Sequence, residues 1–310
     1  MKISRRSFAF ASAALAAVPL SAAPKASRIR VLLIDGINNH DWKKATRGIR
    51  MILERTGRFS VEVSTTPPAD APAAAWQHWR PEFHRYDVVI NNFNAGHAVH
   101  ALQWPTPVQT VFEQYVEQGG GLVIFHAANN AFLNWEAYNQ MIGLGWRPPA
   151  FGPGIALADN GELLYIPKGE GMGPNHPKAF DFPIHVRSTH HPITQGMPAV
   201  WMHPLEQLTH GQHGPAEGLT ILTWAHSPMS GHNEPMDWVR DYGRGRVFTT
   251  SQGHTWLNDP STNFDCVGFQ TLLARGVEWA ATGNVTLPIP ANFPTATEIR
   301  TQPLGLDTAG

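Results

Sequence analysis

Along most of this chain, apolar positions follow one of two patterns, short continuous runs or helical spacing, and the two alternate. Residues 28–36 centre on the apolar run Val31 to Ile34 and end at a glycine turn, Gly36, which predicts a buried strand. Residues 42–56 follow with Ile49, Ile52 and Leu53 on one helical face, and Asp41 stands where an N-cap belongs. Residues 59–64 alternate as a second strand and 86–91 read as a third. Residues 107–118 have the spacing of a helix with Pro107 near its start. Three glycines at 119–121 then introduce the wholly apolar run 122–125, and His126 stands where that run breaks off. Ala127 and Ala128 allow a sharp turn, with Asn129 or Asn130 as cap of a following helix. Such alternation predicts parallel βαβ units in a doubly wound, mostly parallel α/β sheet with helices on both faces.

The pattern loosens between about residues 147 and 215, where Pro, Gly and His crowd together. Pieces at 162–166 and 184–187 read as extra strands or long loops over the sheet. Sheet-like segments return at 219–225 and 245–251, joined to the preceding chain by a hairpin turn at Gly243-Arg244-Gly245-Arg246, and 263–281 reads as a closing helix. The turn at Thr189-His190-His191-Pro192 reads as structural. From Asn284 onward Pro288, Pro290 and Pro294 predict a tail that wraps the surface without regular structure. The organisation is therefore a leader at 1–26, one domain with a decorated second half at 27–283, and a proline-rich tail at 284–310.

The leader reads as an address. Ser4-Arg5-Arg6-Ser7-Phe8 is a twin-arginine pattern, the apolar stretch runs from Phe8 to Leu20, and Ser21, Ala22 and Ala23 offer a cleavage site. This predicts export to the periplasm or beyond, with no permanent membrane span once the leader is removed. A net charge of −1 gives no electrostatic footprint for nucleic acid. The single cysteine, Cys266, excludes an intramolecular disulfide and reads as a core residue. No G-x-S-x-G elbow, dinucleotide glycine motif or phosphate loop is present.

Sixteen His and eleven Trp make a chain well supplied for moving protons and stacking on flat ligands. Four chemical positions closely follow strand-like runs: His40, His126, Glu206 and His254. Ligands of open parallel sheets bind beyond the carboxyl ends of the strands, so these four are expected to share one crevice as the catalytic group. Asp41, Asn92, Trp135 and Trp256 are the candidates for holding substrate. None of the histidines has the i, i+4 helical spacing of a zinc protease and no Cys pair exists, so no cofactor is predicted. The alternative is a divalent metal on His40, His126 and His254.

Several stretches together resemble the trehalose-utilisation (ThuA-like) family of the class I glutamine-amidotransferase-like superfamily. They are His40-Asp41-Trp42, Gly120 through Ala128 with Trp135, Tyr138 and Gly143, His191-Pro192-Ile193-Thr194, Tyr242 through Phe248 with Gly253-His254, and Gly276-Val277-Glu278-Trp279-Ala280. The resemblance implies a flavodoxin-like sheet with an active-site crevice at the elbow. There His126 replaces the cysteine of a glutaminase, which excludes thiol chemistry. Two stretches depart from the family pattern. Leu205-Glu206-Gln207-Leu208 keeps only the glutamate of an Asp-Glu-Leu-Tyr-like motif, and Gly145-Trp146-Arg147-Pro148-Pro149 replaces a Gly-x-His-Pro ending. The likeness further implies an enzyme of disaccharide catabolism acting on a keto-sugar or glycoside by acid/base chemistry. His126 or His254 would be the base, Glu206 or His40 the orienting or donating group, and the tryptophans would stack on the sugar. A non-catalytic carbohydrate-binding protein and a metal-dependent hydrolase remain the alternatives on the same crevice.

Overall fold

The computed structural model describes residues 27–307, so the leader lies outside the described residues. In chain order the elements are β1 (Ile29–Asp35), α1 (Trp42–Arg55), β2 (Phe59–Thr65), α2 (Ala73–His78), β3 (Val88–Asn91), α3 (Thr106–Glu117), β4 (Gly121–Phe125) and α4 (Glu136–Ile142). There follow β5 (Gly154–Leu157), β6 (Leu163–Ile166), β7 (Phe180–Val186), β8 (Val200–Glu206), β9 (Thr220–His226), β10 (Asn233–Tyr242), β11 (Gly245–Thr250), α5 (Thr262–Asp265) and α6 (Val267–Thr282). Among the described residues no helix is long and apolar enough to cross a membrane.

All eleven strands share one sheet, in the order β2-β1-β3-β4-β11-β10-β9-β7-β8, with β5 and β6 attached to β10. The first five are mutually parallel. Side chains alternate between two cores as the pleat demands. Val31 and Leu33 face α1 and α6, whereas Leu32 and Ile34 face the layer that holds α3 and α4. This half is the doubly wound sheet expected from the pattern. The loosely patterned middle of the chain supplies antiparallel strands that extend the same sheet.

Counting reversals from β11 through β10, β9 and β7, β8 points the same way as the parallel set. Its carboxyl end therefore reaches the same rim. The outer strands also curl over α6: Trp201 of β8 lies where a Cβ on Gly268 would stand, 2.5 Å from the indole. Bulges at Pro235, Asp237 and Trp238 supply the bend.

Three expectations are corrected. Asn129 and Asn130 cap no helix, because the turn after β4 is a short 3-10 segment, His126–Asn130, and α4 begins only at Glu136. The closing helix is two helices, interrupted at Cys266, whose extended backbone pairs with Thr301. The tail does more than wrap the surface: Phe293, Leu304 and Leu306 are buried in the core beside α1 and α6.

Close packing of α6 on the sheet relies on small residues. A Cβ at Gly276 would meet the fully buried Phe248 ring at 2.2 Å. Gly276→Ala is therefore expected to lower stability by about 1–3 kcal/mol, the usual cost of overpacking. The readout is a lower denaturation midpoint at unchanged slope. An unchanged midpoint would mean that the ring can move aside.

Candidate functional site

The crevice lies beyond the carboxyl ends of the parallel strands, as a doubly wound sheet requires. Its cavity volume is about 140 Å³ and its lining includes His40, His126, Trp146, His176, Gln207 and Trp256. His40 comes from the loop after β1, His126 from the end of β4, and His254 from the loop after β11. Their ring centroids stand 4.8 Å (His40–His126), 4.9 Å (His40–His254) and 5.4 Å (His126–His254) apart.

The backbone at His126 is strained to place that ring. Its φ is +43°, in the left-handed region that non-glycine residues avoid, at a cost of order 1–3 kcal/mol. Gly253 has φ +97°, and a Cβ there would sit 2.3 Å from the Phe125 ring, so only glycine lets the His254 loop close on β4.

Hydrogen bonds fix the tautomers of two rings. Nδ1 of His126 lies 2.6 Å from the carbonyl oxygen of Ser251. A carbonyl only accepts, so Nδ1 carries the proton and Nε2 is a bare lone pair. Nδ1 of His40 faces Oδ1 of Asn38 at 3.2 Å and Oδ1 of Asn39 at 3.0 Å. The orientation of each amide is set from behind: Asn38 donates Nδ2 to the carbonyl of Asn92, and Asn39 accepts from Nδ2 of Asn94. His40 therefore also carries its proton on Nδ1. Its bare Nε2 lies 3.3 Å from Nε2 of His126. The Nε2 atom of His254 is buried and has no hydrogen-bond partner.

Burial favours the neutral form of all three rings. It pushes His40 far below the usual histidine range, with the charges of His126, His254 and His176 adding to the effect. Burial also lowers His126, against the opposing charge of Glu206. His254 falls to about 3 through burial and its neighbour His126. At neutral pH the centre is three uncharged imidazoles.

Glu206 is brought to the group, though behind it rather than in the crevice. It is fully buried. Its Oε2 accepts from the backbone N–H of Gly253 at 2.6 Å and from Asn263 Nδ2 at 3.0 Å, and its Oε1 accepts from the N–H of His254 at 3.1 Å. Its Oε1 also accepts from the N–H of Gln207 at 3.0 Å, and His203 completes the set at 3.3 Å. Burial works against this charge, but the hydrogen bond and charge of His203 hold the carboxyl down at about 2. Glu206 is a positioning residue: it orients the His254 loop and makes no contact with the crevice.

The expected substrate-binding residues divide. Trp256 lines the crevice and stacks on His40 at 4.4 Å, so one face of its ring is taken by the imidazole. Trp135 does not reach the crevice. It belongs to the aromatic core around Trp104 and Phe132, and its Nε1 donates to Glu113. Asp41 is the N-cap of α1, accepting from the N–H of Lys44 at 3.0 Å. Asn92 is buried and holds the His40 loop, donating to Trp42 O and Thr46 Oγ1 at 3.3 Å. Both position the site without lining it. The sequence reading missed Trp146, His176, Gln207 and Thr209, and read Asn129 and Asn130 as caps although they line the crevice. The Asn pair lies three and four residues after His126 in the same short 3-10 turn. Trp146 and His176 sit on long loops with no strand pattern to place them. Buried Arg147 shapes that wall by donating to the carbonyls of Asn130 and Ala131.

A family model described as ThuA, trehalose utilisation, matches residues 30–280. The chain belongs to that family. A ThuA-like protein from Parabacteroides merdae ATCC 43184 is 34% identical, and the match covers 89% of this chain and 98% of that one with a TM-score of 0.82. A ThuA-like protein from Bacteroides uniformis ATCC 8492 is 16% identical over 87% of this chain and 98% of its own, with a TM-score of 0.53, and shares the fold alone. No curated protein matches the chain. Family and fold thus agree with the resemblance read from the sequence, and the turn after β4 carries His126.

One buried group behind this ThuA-family site makes stability depend on pH. Asp237 on β10 accepts from Gln252 Nε2 at 2.6 Å and from the Thr223 hydroxyl, while its Oδ1 has no partner. Burial raises its carboxyl from 3.8 to about 6. Between those values the folded chain keeps a proton that the unfolded chain releases, so this group's contribution to stability falls as pH rises through the window. Asp237→Asn stays uncharged and is expected to remove that slope in urea midpoints measured from pH 3.8 to 6. Parallel curves for the two proteins would contradict the assignment.

Proposed function

We propose that this ThuA-family protein is an exported carbohydrate-active enzyme that acts on a keto-sugar or glycoside in disaccharide catabolism, with the crevice as its active site. The observation that carries the reading is the convergence of three neutral imidazoles beneath a wall of amides. Asn129, Asn130 and Gln207 each pair a donor with an acceptor, which is what a sugar hydroxyl asks of its site. Trp146 and Trp256 offer aromatic surface for the apolar face of a sugar ring. The family's association with trehalose utilisation supports the same substrate class.

Proton abstraction beside a ketone needs an unprotonated base and a partner for the oxygen that gains charge. Two chemistries are open to this centre. Either Nε2 of His126 takes the proton itself, or the three nitrogens together hold the species that does. Glu206 contributes by fixing the His254 loop.

The deciding experiment follows a panel of disaccharides and their 3-keto forms by NMR, for binding and for product. Turnover is expected for at least one. His126→Ala should reduce it by about 10²–10⁴-fold, the usual worth of a positioned acid or base. Binding without product would make the protein an accessory carbohydrate binder. Turnover by His126→Ala at the parent rate would remove the centre from the chemistry.

Export rests on Arg5-Arg6 ahead of the apolar stretch from Phe8 to Leu20. Changing both arginines to lysine should leave folded protein in the cytoplasm. Undiminished export would assign the chain to another route.

A further inference from the structure

We propose that His40, His126 and His254 form a binding site for one divalent transition-metal ion, with a fourth coordination position open to the crevice. The argument starts from the lone pairs. Nε2 of His40 and Nε2 of His126 both lack a proton and stand 3.3 Å apart. Facing lone pairs at that distance repel unless something positive lies between them. A shared proton would serve those two nitrogens only, whereas His254 brings a third: its buried Nε2 has no partner, and one ligand atom from each ring lies within 4.8 Å of the others. A cation serves all three at once.

The spacing agrees. Two nitrogens bound tetrahedrally at zinc, each at about 2.0–2.1 Å, lie about 3.3 Å from one another, which is the His40–His126 distance. The third ring, with its ligand atom within 4.8 Å of the other two, closes onto the ion by turning of the His254 side chain while its backbone stays on Glu206. The outer partners are those of a ligand set. His126 gives its Nδ1 proton to a backbone carbonyl, and His40 gives its own to two amide oxygens, which orients each ring and raises its basicity. The Glu206 carboxylate, bonded to the backbone N–H of His254, supplies buried negative charge on the same side.

The donor set also selects the ion. Imidazoles suit zinc, copper, iron and nickel, whereas magnesium and calcium prefer oxygen ligands, and none is in the trio. Three protein ligands with a remaining open position are the pattern of catalytic rather than structural zinc, in which the bound water has a pKa near 7. Nothing here depends on which substrate the crevice takes.

The test uses the mature protein, stripped with chelator and titrated with ZnCl2 by calorimetry and with CoCl2 by visible spectroscopy. One equivalent of zinc per chain is expected, with the intense visible bands of tetrahedral cobalt. His40→Ala, His126→Ala and His254→Ala should each weaken zinc binding by more than the roughly 10–100-fold that losing an outer-shell partner costs. Because the backbone at His126 is strained, His40→Gln and His254→Gln, verified as folded by circular dichroism, provide the same comparison without touching that turn. Absence of saturable zinc and cobalt binding would overturn the proposal. So would binding that survives in all the folded variants, since the ion would then sit elsewhere.

Discussion

Burying a carboxylate is costly unless nearly every lone pair is used, and Glu206 uses them on donors from both halves of the sheet. It ends β8, the last strand of the antiparallel extension. Its bonds go to Gly253 and His254, in the loop after the last parallel strand, and to Asn263 in α5. The closing of the loop at Gly253 and the placement of His254 depend on this knot. His203 beneath it gains a proton affinity it would otherwise lose. Burial alone lowers that ring, but the neighbouring Cys266 thiol and the Glu206 carboxylate, bonded to its Nε2, raise it. The two halves are therefore joined by a charged, desolvated contact, whose geometry tolerates little drift.

The parallel half of the fold was legible because both of its faces are buried. Strands covered on both sides must be apolar throughout, and such runs at residues 31–34 and 122–125 stand out in any window. The antiparallel extension was harder to read. Its strands are interrupted by Pro183, Pro204 and Pro235, and β7 and β8 are partly exposed, so their alternation is weak. Nor could local pattern show that β8 returns to the same rim, which follows only from counting reversals across the sheet.

At the site, the histidines that shortly follow the parallel strands were found, and the residues on the long loops of the middle of the chain were not. His40, His126 and His254 are each fixed by a neighbouring strand. Trp146 and His176 owe their positions to tertiary contacts, such as the Arg147 bonds to Asn130 and Ala131, that no spacing announces. Trp135 was misplaced for a related reason. A tryptophan near the elbow looks like a sugar platform, but the layer over α3 needed its volume between Trp104 and Phe132. Asp41 and Asn92 show a third case, polar residues beside the site whose hydrogen bonds are spent holding loops.

The three imidazoles come from distant parts of the chain; His40 and His126 alone are 86 residues apart. The second and third meet only after the hairpin of β10 and β11 has inserted beside β4. Contacts of such long range form late, because loop closure must be paid before they return anything. The centre consequently cannot exist in a partly made chain, nor in a fragment that stops short of β11. It is a property of the completed fold, because the third imidazole follows the last strand to join the parallel half.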